Sequence, residues 1–192
     1  MIRNLATGVD VFTSNVFLVD GERTVVVDPG ANFDAVEAIS EWTDSLDAVV
    51  LTHTHPDHVG NAASVASAFD VDVWGFDAFH PAVDHEIADG DEIQLGDDTY
   101  GVIHTPGHKD DHVCLYAVDP GILFVGDLVF AGGGFGRTDL EEGDRPTLLE
   151  SIGRLLDTVE ADFEVMHCGH GPSVDRDPYG DIETAYRMAE IR

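Results

Sequence analysis

Short apolar runs rich in β-branched residues open the chain. Val9–Phe12, Val16–Val19 and Thr24–Val27 are separated by polar turn residues, which predicts a β-meander. The turn Asp28-Pro29-Gly30 ends this meander. The chain is therefore expected to begin as an antiparallel sheet.

Helical spacing of apolar residues follows and then alternates with further strands. The pattern predicts a helix over Asp34–Trp42, a buried strand over Ala48–Leu51, a helix over Pro56–Phe69 and a strand near Val71–Trp74. The first half of the chain is thus mixed α and β.

The second half repeats this plan, with hairpin strands first and helices after them. The predicted elements are strands Glu92–Leu95, Thr99–His104, His112–Val118 and Ile122–Val125, helix Pro146–Val159, strand Phe163–Met166 and a last helix around Ile182–Ile191. Strands followed by helix, twice over, predict an α+β sandwich of two packed sheets with helices outside. A length of 192 residues, 43% of them hydrophobic, fits a single domain over residues 1–192.

The N-terminus and the two cysteines bear on the cellular compartment. The first residues do not read as a charged segment followed by an apolar signal core, and no apolar run approaches the roughly 20 residues that span a bilayer. Cys114 and Cys168 are too few for a disulfide framework. We expect a soluble, reduced, cytoplasmic protein with no membrane partner.

The charge is strongly acidic, with 9 basic against 38 acidic residues and a formal net charge of −29. On a surface of roughly 8,900 Å² this is about one net negative charge per 300 Å². Lys109 is the sole lysine beside eight arginines. Such a bias resembles the proteins of salt-in halophiles, although an acidic mesophilic protein is the alternative. Nucleic-acid binding is disfavoured because there is no basic patch to displace counterions.

The densest group of candidate ligands is Thr52-His53-Thr54-His55-Pro56-Asp57-His58, at the end of a predicted strand. Alternate residues of an extended segment point the same way, so His53 and His55 can share one metal ion. Asp57 and His58 follow Pro56 and turn toward a second position. Hydrogen-bonding loop histidines are a much weaker explanation for three imidazoles and a carboxylate this close together.

Four further candidates lie beside or near glycines at predicted strand ends, where glycine lets the backbone turn sharply. They are His108 in Thr105-Pro106-Gly107-His108, His112 four residues later, Asp127 after Gly126, and His170 in Cys168-Gly169-His170-Gly171. Each alone is explained as readily by turn capping. Together with the first cluster they form an order of histidines and aspartates along the chain that is far more specific for a metal site than any single residue.

With these motifs, the chain resembles the metallo-β-lactamase-fold hydrolases, in particular the glyoxalase II-like group of small thioesterases. The resemblance implies a four-layer αββα sandwich with the metal site along one edge of the two sheets. It also implies a first metal held by His53, His55 and His108, a second held by Asp57, His58 and His170, and Asp127 bridging both. His112 is then either a partner of a ligand or a turn residue.

Such a ligand set suits two divalent metal ions, zinc first, with iron or manganese as alternatives. Two ions that share a water produce a bridging hydroxide that attacks an acyl carbon. In this reading Asp57 is catalytic, since it orients the water while serving as a ligand. The two cysteines are expected to pack as small apolar residues.

The glycine-rich segment after Asp127 contains one cation, Arg137, at a position where the resembled proteins contact the thiol carrier of the substrate. Arg137 is thus a candidate for binding a substrate carboxylate, and a structural pair with Asp139 or Asp144 is the alternative. The aromatic residues that accompany a glutathione site in the family are replaced by Thr138 and Gly171, and only 22 residues follow His170. These departures make a glutathione thioester doubtful as substrate.

Several functions fit this ligand order. The first is a hydrolase of a small acyl compound, most plausibly a thioester and next a lactone or other ester. The second is an oxidoreductase similar to persulfide dioxygenase, with one iron, and the third is an RNA or DNA nuclease of the same superfamily. A non-catalytic metal-binding scaffold is the weakest, because no ligand is missing. The oligomeric state stays open.

The charge density predicts stabilisation by salt. Repulsion between carboxylates acts over a Debye length of about 30 Å at 0.01 M salt but only about 3 Å at 1 M. The melting temperature should therefore rise with potassium chloride well beyond physiological ionic strength, as measured by thermal unfolding. A melting temperature that is flat from about 0.1 to 2 M salt would contradict the halophile interpretation and leave the metal-site prediction unaffected.

Overall fold

Residues 1–191 are described by a computed structural model and contain thirteen strands and five helices. The strands are β1 Ile2–Asn4, β2 Phe17–Val19, β3 Val25–Val27, β4 Ala48–Val50, β5 Val73–Gly75, β6 His85–Glu86, β7 Glu92–Leu95, β8 Asp98–His104, β9 Val113–Ala117, β10 Ile122–Gly126, β11 Val129–Phe130, β12 Gly134–Phe135 and β13 Val165–Cys168. The helices are α1 Ala35–Ser40, α2 Pro56–Val59, α3 Ala62–Phe69, α4 Arg145–Thr158 and α5 Pro178–Glu190.

The chain divides into two compact units. The first comprises Met1–Ile87 and Ile93–Thr99, and the second comprises Ala88–Glu92 and the chain from Tyr100 onward. This mixture of sheets and helices agrees with the prediction from the sequence. None of the described helices is long and apolar enough to cross a membrane.

The sheet of the first unit has six strands in the order β1-β2-β3-β4-β5-β6. The first three pair antiparallel, whereas β3, β4, β5 and β6 are parallel to their neighbours. The strands β3 and β4 therefore end at the same edge, and the residues after each of them lie side by side.

Burial of one face of this sheet against helices α1 and α3 forms the core of the first unit. Val26, Val49 and Leu51 from the strands pack with Ile39 of α1 and Val65 of α3, all at most 1% exposed. A short strand of three buried valines, such as β3, is typical of a central parallel strand.

The second large sheet has the order β13-β10-β9-β8-β7, and a small hairpin joins β11 and β12. Strand β13 is parallel to β10, and β9 pairs antiparallel with both β10 and β8. On one face, Leu123 and Met166 of the sheet pack with Leu148 and Ile152 of α4 and Ile182 of α5. The parallel pair β10 and β13 places the residues that follow both strands at one edge.

The prediction of a first strand over Val9–Phe12 is wrong. These residues form a loop, and Ile2–Asn4 pairs with β2 in their place. The hydrogen bonds at the end of this loop go to the rest of the unit and not to a neighbouring strand: the Ala31 amide donates to Thr13 Oγ1 and the Ser14 amide donates to the Asp57 carbonyl. The apolar residues of the loop are consequently not drawn into a sheet.

The predicted helix over Pro56–Phe69 is interrupted at Gly60 and Asn61. The Asn61 side-chain amide donates to the Pro29 carbonyl and its backbone amide donates to the Gly30 carbonyl. A Cβ atom at position 60 would lie 2.7 Å from Ala31 Cβ. The loop after β3 thus packs directly on this segment, which splits the helix into α2 and α3.

Smaller differences concern element ends. Helix α5 begins at Pro178, earlier than predicted, because the Asp177 carboxylate accepts from the Gly180 amide as an N-cap. Strand β13 lies two residues later than predicted.

The loop before α4 depends on a glycine. Gly107 has φ +117°, and a Cβ atom there would overlap the backbone of Leu148 in the first turns of α4. Replacement by alanine therefore adds a steric conflict to an unfavourable backbone conformation. The Gly107 carbonyl also accepts from the Asp144 amide, which holds the two segments together.

We predict that Gly107→Ala lowers the free energy of unfolding by at least about 3 kcal/mol. The matched control is Gly90→Ala, since Gly90 has φ +86° with open space where a Cβ would lie. That variant should lose only about 1 kcal/mol. Chemical denaturation of both variants measures the difference, and equal losses would contradict close packing at Gly107.

Candidate metal centre

The histidine motif of the first unit follows strand β4. Strand β4 ends at Val50, the backbone of His55 is extended, and α2 begins at Pro56, whose ring is favoured at the first helical position. His53 and His58 are buried, and Asp57 is half-buried. The sequence motif is therefore divided between a strand end and a helix start, as its proline suggests.

Asp28, which follows the neighbouring strand β3, anchors this motif. It is only 2% exposed, and its carboxylate accepts from the Thr52 amide at 2.8 Å and from the Thr52 hydroxyl at 2.7 Å. Its Oδ2 also lies 2.9 Å from His58 Nδ1. A carboxylate only accepts, so it holds the His58 proton on Nδ1 and leaves the Nε2 lone pair available for a metal.

The sequence reasoning missed this role of Asp28 and treated the residue only as part of a turn. Its backbone has φ +52°, a left-handed conformation that aspartate tolerates better than most residues. The available signal was a carboxylate directly after an apolar run. Its use as a partner of His58 required knowing that β3 and β4 are neighbours.

Thr52 extends the same hydrogen-bond chain to His53. Because its hydroxyl proton is donated to Asp28, its oxygen accepts from His53 Nδ1 at 3.1 Å. His53 Nε2 is then left as a lone pair, and it lies 3.1 Å from His55 Nδ1. Two ligands about 2.1 Å from one ion at a tetrahedral angle lie about 3.4 Å apart. The spacing of these two nitrogens thus suits a shared cation.

In the second unit, His108 follows β8 through the turn at Gly107 and is also fixed by its second nitrogen. His108 Nδ1 lies 2.8 Å from the Arg137 carbonyl oxygen, which can only accept. The proton is therefore on Nδ1. His108 Nε2 faces Asp127, whose Oδ2 lies 3.5 Å away.

Asp127 and His170 follow the parallel strands β10 and β13. His170 Nε2 also lies 3.5 Å from Asp127 Oδ2, and the Gly169 amide donates to the Gly126 carbonyl to hold the two loops together. One carboxylate oxygen thus has two imidazole nitrogens at the same distance. That distance is too long for a hydrogen bond and close to the separation of two ligands on one metal ion.

His112, which the sequence left either as a partner of a ligand or as a turn residue, contacts Asp127 through the backbone. Its Nε2 accepts from the Asp127 amide at 3.0 Å, and its Nδ1 lies 2.8 Å from Thr105 Oγ1. The ring is completely buried. An imidazole that accepts at Nε2 is neutral with its proton on Nδ1, so His112 fixes the backbone of a candidate ligand.

Arg137 pairs with Asp139 on the surface. Both residues are about two-thirds exposed, and two guanidinium nitrogens each donate over 2.9 Å to the Asp139 carboxylate. This hydrogen bonding raises the pKa of Arg137 and lowers that of Asp139. Asp144, the other partner considered, instead caps α4 by accepting from the Thr147 amide.

The cysteines are buried and protonated. Burial raises the pKa of both Cys114 and Cys168 to about 12. Neither thiol is a thiolate near neutral pH, so neither is poised as a nucleophile.

All seven predicted ligands belong to groups of histidine and aspartate side chains that could hold a metal ion. They are His53, His55, Asp57, His58, His108, Asp127 and His170. The donor set fits a metal because three of the imidazoles have their other nitrogen fixed by Asp28, Thr52 or the Arg137 carbonyl. Imidazole and carboxylate donors suit zinc, iron and manganese alike.

Comparisons with known proteins identify the family of the chain. The sequence model of the metallo-beta-lactamase superfamily matches residues 9–170. Hydroxyacylglutathione hydrolase GloC of Haemophilus influenzae is 30% identical over 188 residues, covering 85% of this chain and 88% of its own length. Hydroxyacylglutathione hydrolase of Chromohalobacter salexigens is 36% identical over 151 residues, which cover 78% of this chain and 57% of that protein.

A solved structure of similar fold is that of TTHA1623 in a di-iron-bound form. It is 29% identical, with a TM-score of 0.75, and the match covers 91% of this chain and 94% of that one. The mixed α/β fold predicted from the sequence is thereby confirmed. A family match over most of the chain, together with relatives at 30% identity and above, means that this protein is a hydrolase of the metallo-beta-lactamase superfamily.

Proposed function

We propose that this protein is a dinuclear metallohydrolase that cleaves a small acyl compound, with a thioester as the first candidate. The observation that carries the proposal is the position of Asp127 Oδ2, which lies 3.5 Å from both His108 Nε2 and His170 Nε2. A carboxylate between two such imidazoles is the arrangement expected of a ligand that bridges two ions.

The proposed ligands fall into two sets joined by Asp127. His53, His55 and His108 would hold the first ion, and Asp57, His58 and His170 would hold the second. Two divalent ions bound there would lower the pKa of a shared water toward neutrality and polarise the acyl carbonyl. Zinc is the first candidate metal, with iron and manganese as alternatives.

The side chains of this chain would orient the reactants. Asp57 would accept a hydrogen bond from the attacking water and so direct its lone pair toward the acyl carbon. His112, through its hydrogen bond to the Asp127 amide, would keep the bridging carboxylate from turning away. Since both thiols are protonated, no cysteine competes as nucleophile.

The thiol carrier of such a thioester is either glutathione or another thiol. The replacement of aromatic residues by Thr138 and Gly171 disfavours glutathione. The small number of residues after His170 is no argument against it, because GloC, a hydroxyacylglutathione hydrolase by name, aligns over 88% of its own length with this chain.

Metal analysis combined with a substrate panel tests the proposal. The protein should be purified in high salt, its metal content measured, and thioesters, lactones, phosphodiesters and persulfides assayed. Two equivalents of metal with thioester turnover would support a dinuclear thioesterase. One tightly held iron with oxygen consumption on a persulfide would replace it with the oxidoreductase, and phosphodiester cleavage with the nuclease.

We predict that Asp127→Ala loses more metal than His53→Ala, because the former removes a ligand from both ions and the latter from one. Plasma mass spectrometry of the dialysed variants gives metal per chain. Asp119→Ala, at an exposed turn, is the control and should keep the full content. Two full equivalents of metal and unchanged turnover in Asp127→Ala would contradict the bridge.

A second prediction concerns Arg137, which we propose binds an anionic part of the substrate. Arg137→Ala should raise KM roughly tenfold, the scale of a charged hydrogen bond, with metal content unchanged. Asp139→Asn should leave KM unchanged or lower it, since it releases the guanidinium. Equal, small effects of both substitutions on stability alone would instead mean that the two residues form only a surface pair.

A further inference from the structure

A cavity of about 360 Å³ lies in the first unit beside the histidine motif. This volume is at the lower end of the range for small-molecule sites. Its walls come from the loop before β2, the loop after β3, the start of α2 and the glycine that follows α2; they are Phe12, Ala31, Asn32, Pro56, Asp57 and Gly60. Asp57, the residue proposed to orient the attacking water, is thus one wall of the cavity.

The loop that supplies Phe12 is held in place by its backbone and by one hydroxyl. The Asn32 side-chain amide donates to the Phe12 carbonyl at 2.8 Å. Thr13 Oγ1 accepts from the Ala31 amide at 2.9 Å, and the Ser14 amide donates to the Asp57 carbonyl at 3.0 Å. These bonds fasten three successive residues to other walls of the cavity or to Asp57 itself.

Despite these bonds, the Phe12 residue is 74% exposed, and the adjacent Val11 is 45% exposed. Transfer of a phenyl ring out of water lowers the free energy. The exposed Phe12 ring, held on a tethered loop, contributes little of this stabilisation to the folded chain. An apolar group placed in the cavity would recover part of it. The Phe12 ring can therefore contact an apolar ligand in the cavity that it lines.

The charge of the residues that line the cavity favours the acyl chain of a thioester over an anionic thiol carrier. The six lining residues include one carboxylate, Asp57, one amide, Asn32, and no cation. An anionic thiol carrier would meet repulsion there without a compensating partner. A neutral acyl chain meets the Phe12 ring, Ala31 and Pro56.

We propose that this cavity binds the acyl chain of the substrate, with Phe12 as the residue that determines preference for chain length. The inference rests on the proposed function, because Asp57 locates the acyl carbon. Phe12 and Pro56 line the same cavity as Asp57, so an acyl chain bound beside Asp57 would contact both.

The test uses the full-length, metal-loaded protein and a series of acyl thioesters of N-acetylcysteamine, from acetyl to hexanoyl. A fully buried methylene is worth about fourfold in affinity, and a half-buried one about twofold. In the unsubstituted protein, kcat/KM should therefore rise on the order of tenfold from acetyl to hexanoyl. In Phe12→Ala this rise should largely disappear.

Two further variants distinguish an effect of the cavity wall at Phe12 from an effect of exposed apolar side chains in general. Phe12→Leu should restore most of the chain-length dependence, because it keeps an apolar side chain of similar reach. Phe79→Ala is the matched control, since Phe79 belongs to the same unit, is 97% exposed and does not line the cavity. It should behave like the unsubstituted protein.

Binding of the corresponding ethyl and hexyl thioethers, which cannot be hydrolysed, gives a readout independent of turnover. Calorimetry should find tighter binding of the hexyl compound, lost in Phe12→Ala and kept in Phe79→Ala. Chain-length dependence that is absent, or that survives in Phe12→Ala, overturns the acyl site. If no thioester is hydrolysed, the proposed function fails, and hexyl preference in the binding experiment still decides whether the cavity takes an apolar chain.

Discussion

The buried carboxylate of Asp28 organises the histidine motif of the first unit. It accepts from the backbone amide and hydroxyl of Thr52 and lies against His58 Nδ1. A histidine binds metal well only when its second nitrogen is held, since this fixes both the tautomer and the ring orientation. The negative charge of Asp28 would also favour a metal ion bound by His58. Loss of this one carboxylate would release His58 directly and His53 through Thr52.

The second unit meets the same requirement with neutral groups. The Arg137 carbonyl fixes His108, and the neutral ring of His112 fixes the backbone of Asp127. His112 is in turn oriented by the buried hydroxyl of Thr105. In a chain of net charge −29, these uncharged partners avoid adding further carboxylates around Asp127.

Several of the few cations are used to hold the fold together. Arg145 donates to three carbonyls at the end of α5, and Lys109 pairs with Glu142. Arg154 donates to the Asp89 carboxylate and thereby lowers the pKa of that group. Each cation thus ties segments distant in the chain, which matters when net repulsion opposes compactness.

The local sequence pattern was sufficient to identify the candidate ligands of the histidine motif. The alternation of His53 and His55, and the turn that Pro56 imposes, depend on neighbours in the chain, so residue types and spacing alone predicted which side chains to examine. Most strands and helices were predicted for the same reason, because apolar periodicity is a local property. The loop over Val9–Phe12 was not, because the next residues, Thr13 and Ser14, hydrogen-bond to Ala31 and Asp57, which are distant in the chain, and not to a neighbouring strand.

Tertiary structure alone decided which residues support the ligands. Asp28 acts on His58 because β3 and β4 are parallel neighbours, and His112 faces the Asp127 backbone because β8, β9 and β10 bring Thr105, His112 and Asp127 together. Strand order and register are set by the packing of the whole core, which no short window of sequence contains. The candidate ligands were therefore identified from residue type and spacing. The hydrogen bonds that orient them depend on contacts between distant residues: Asp28 lies 24 positions before Thr52 and 30 positions before His58.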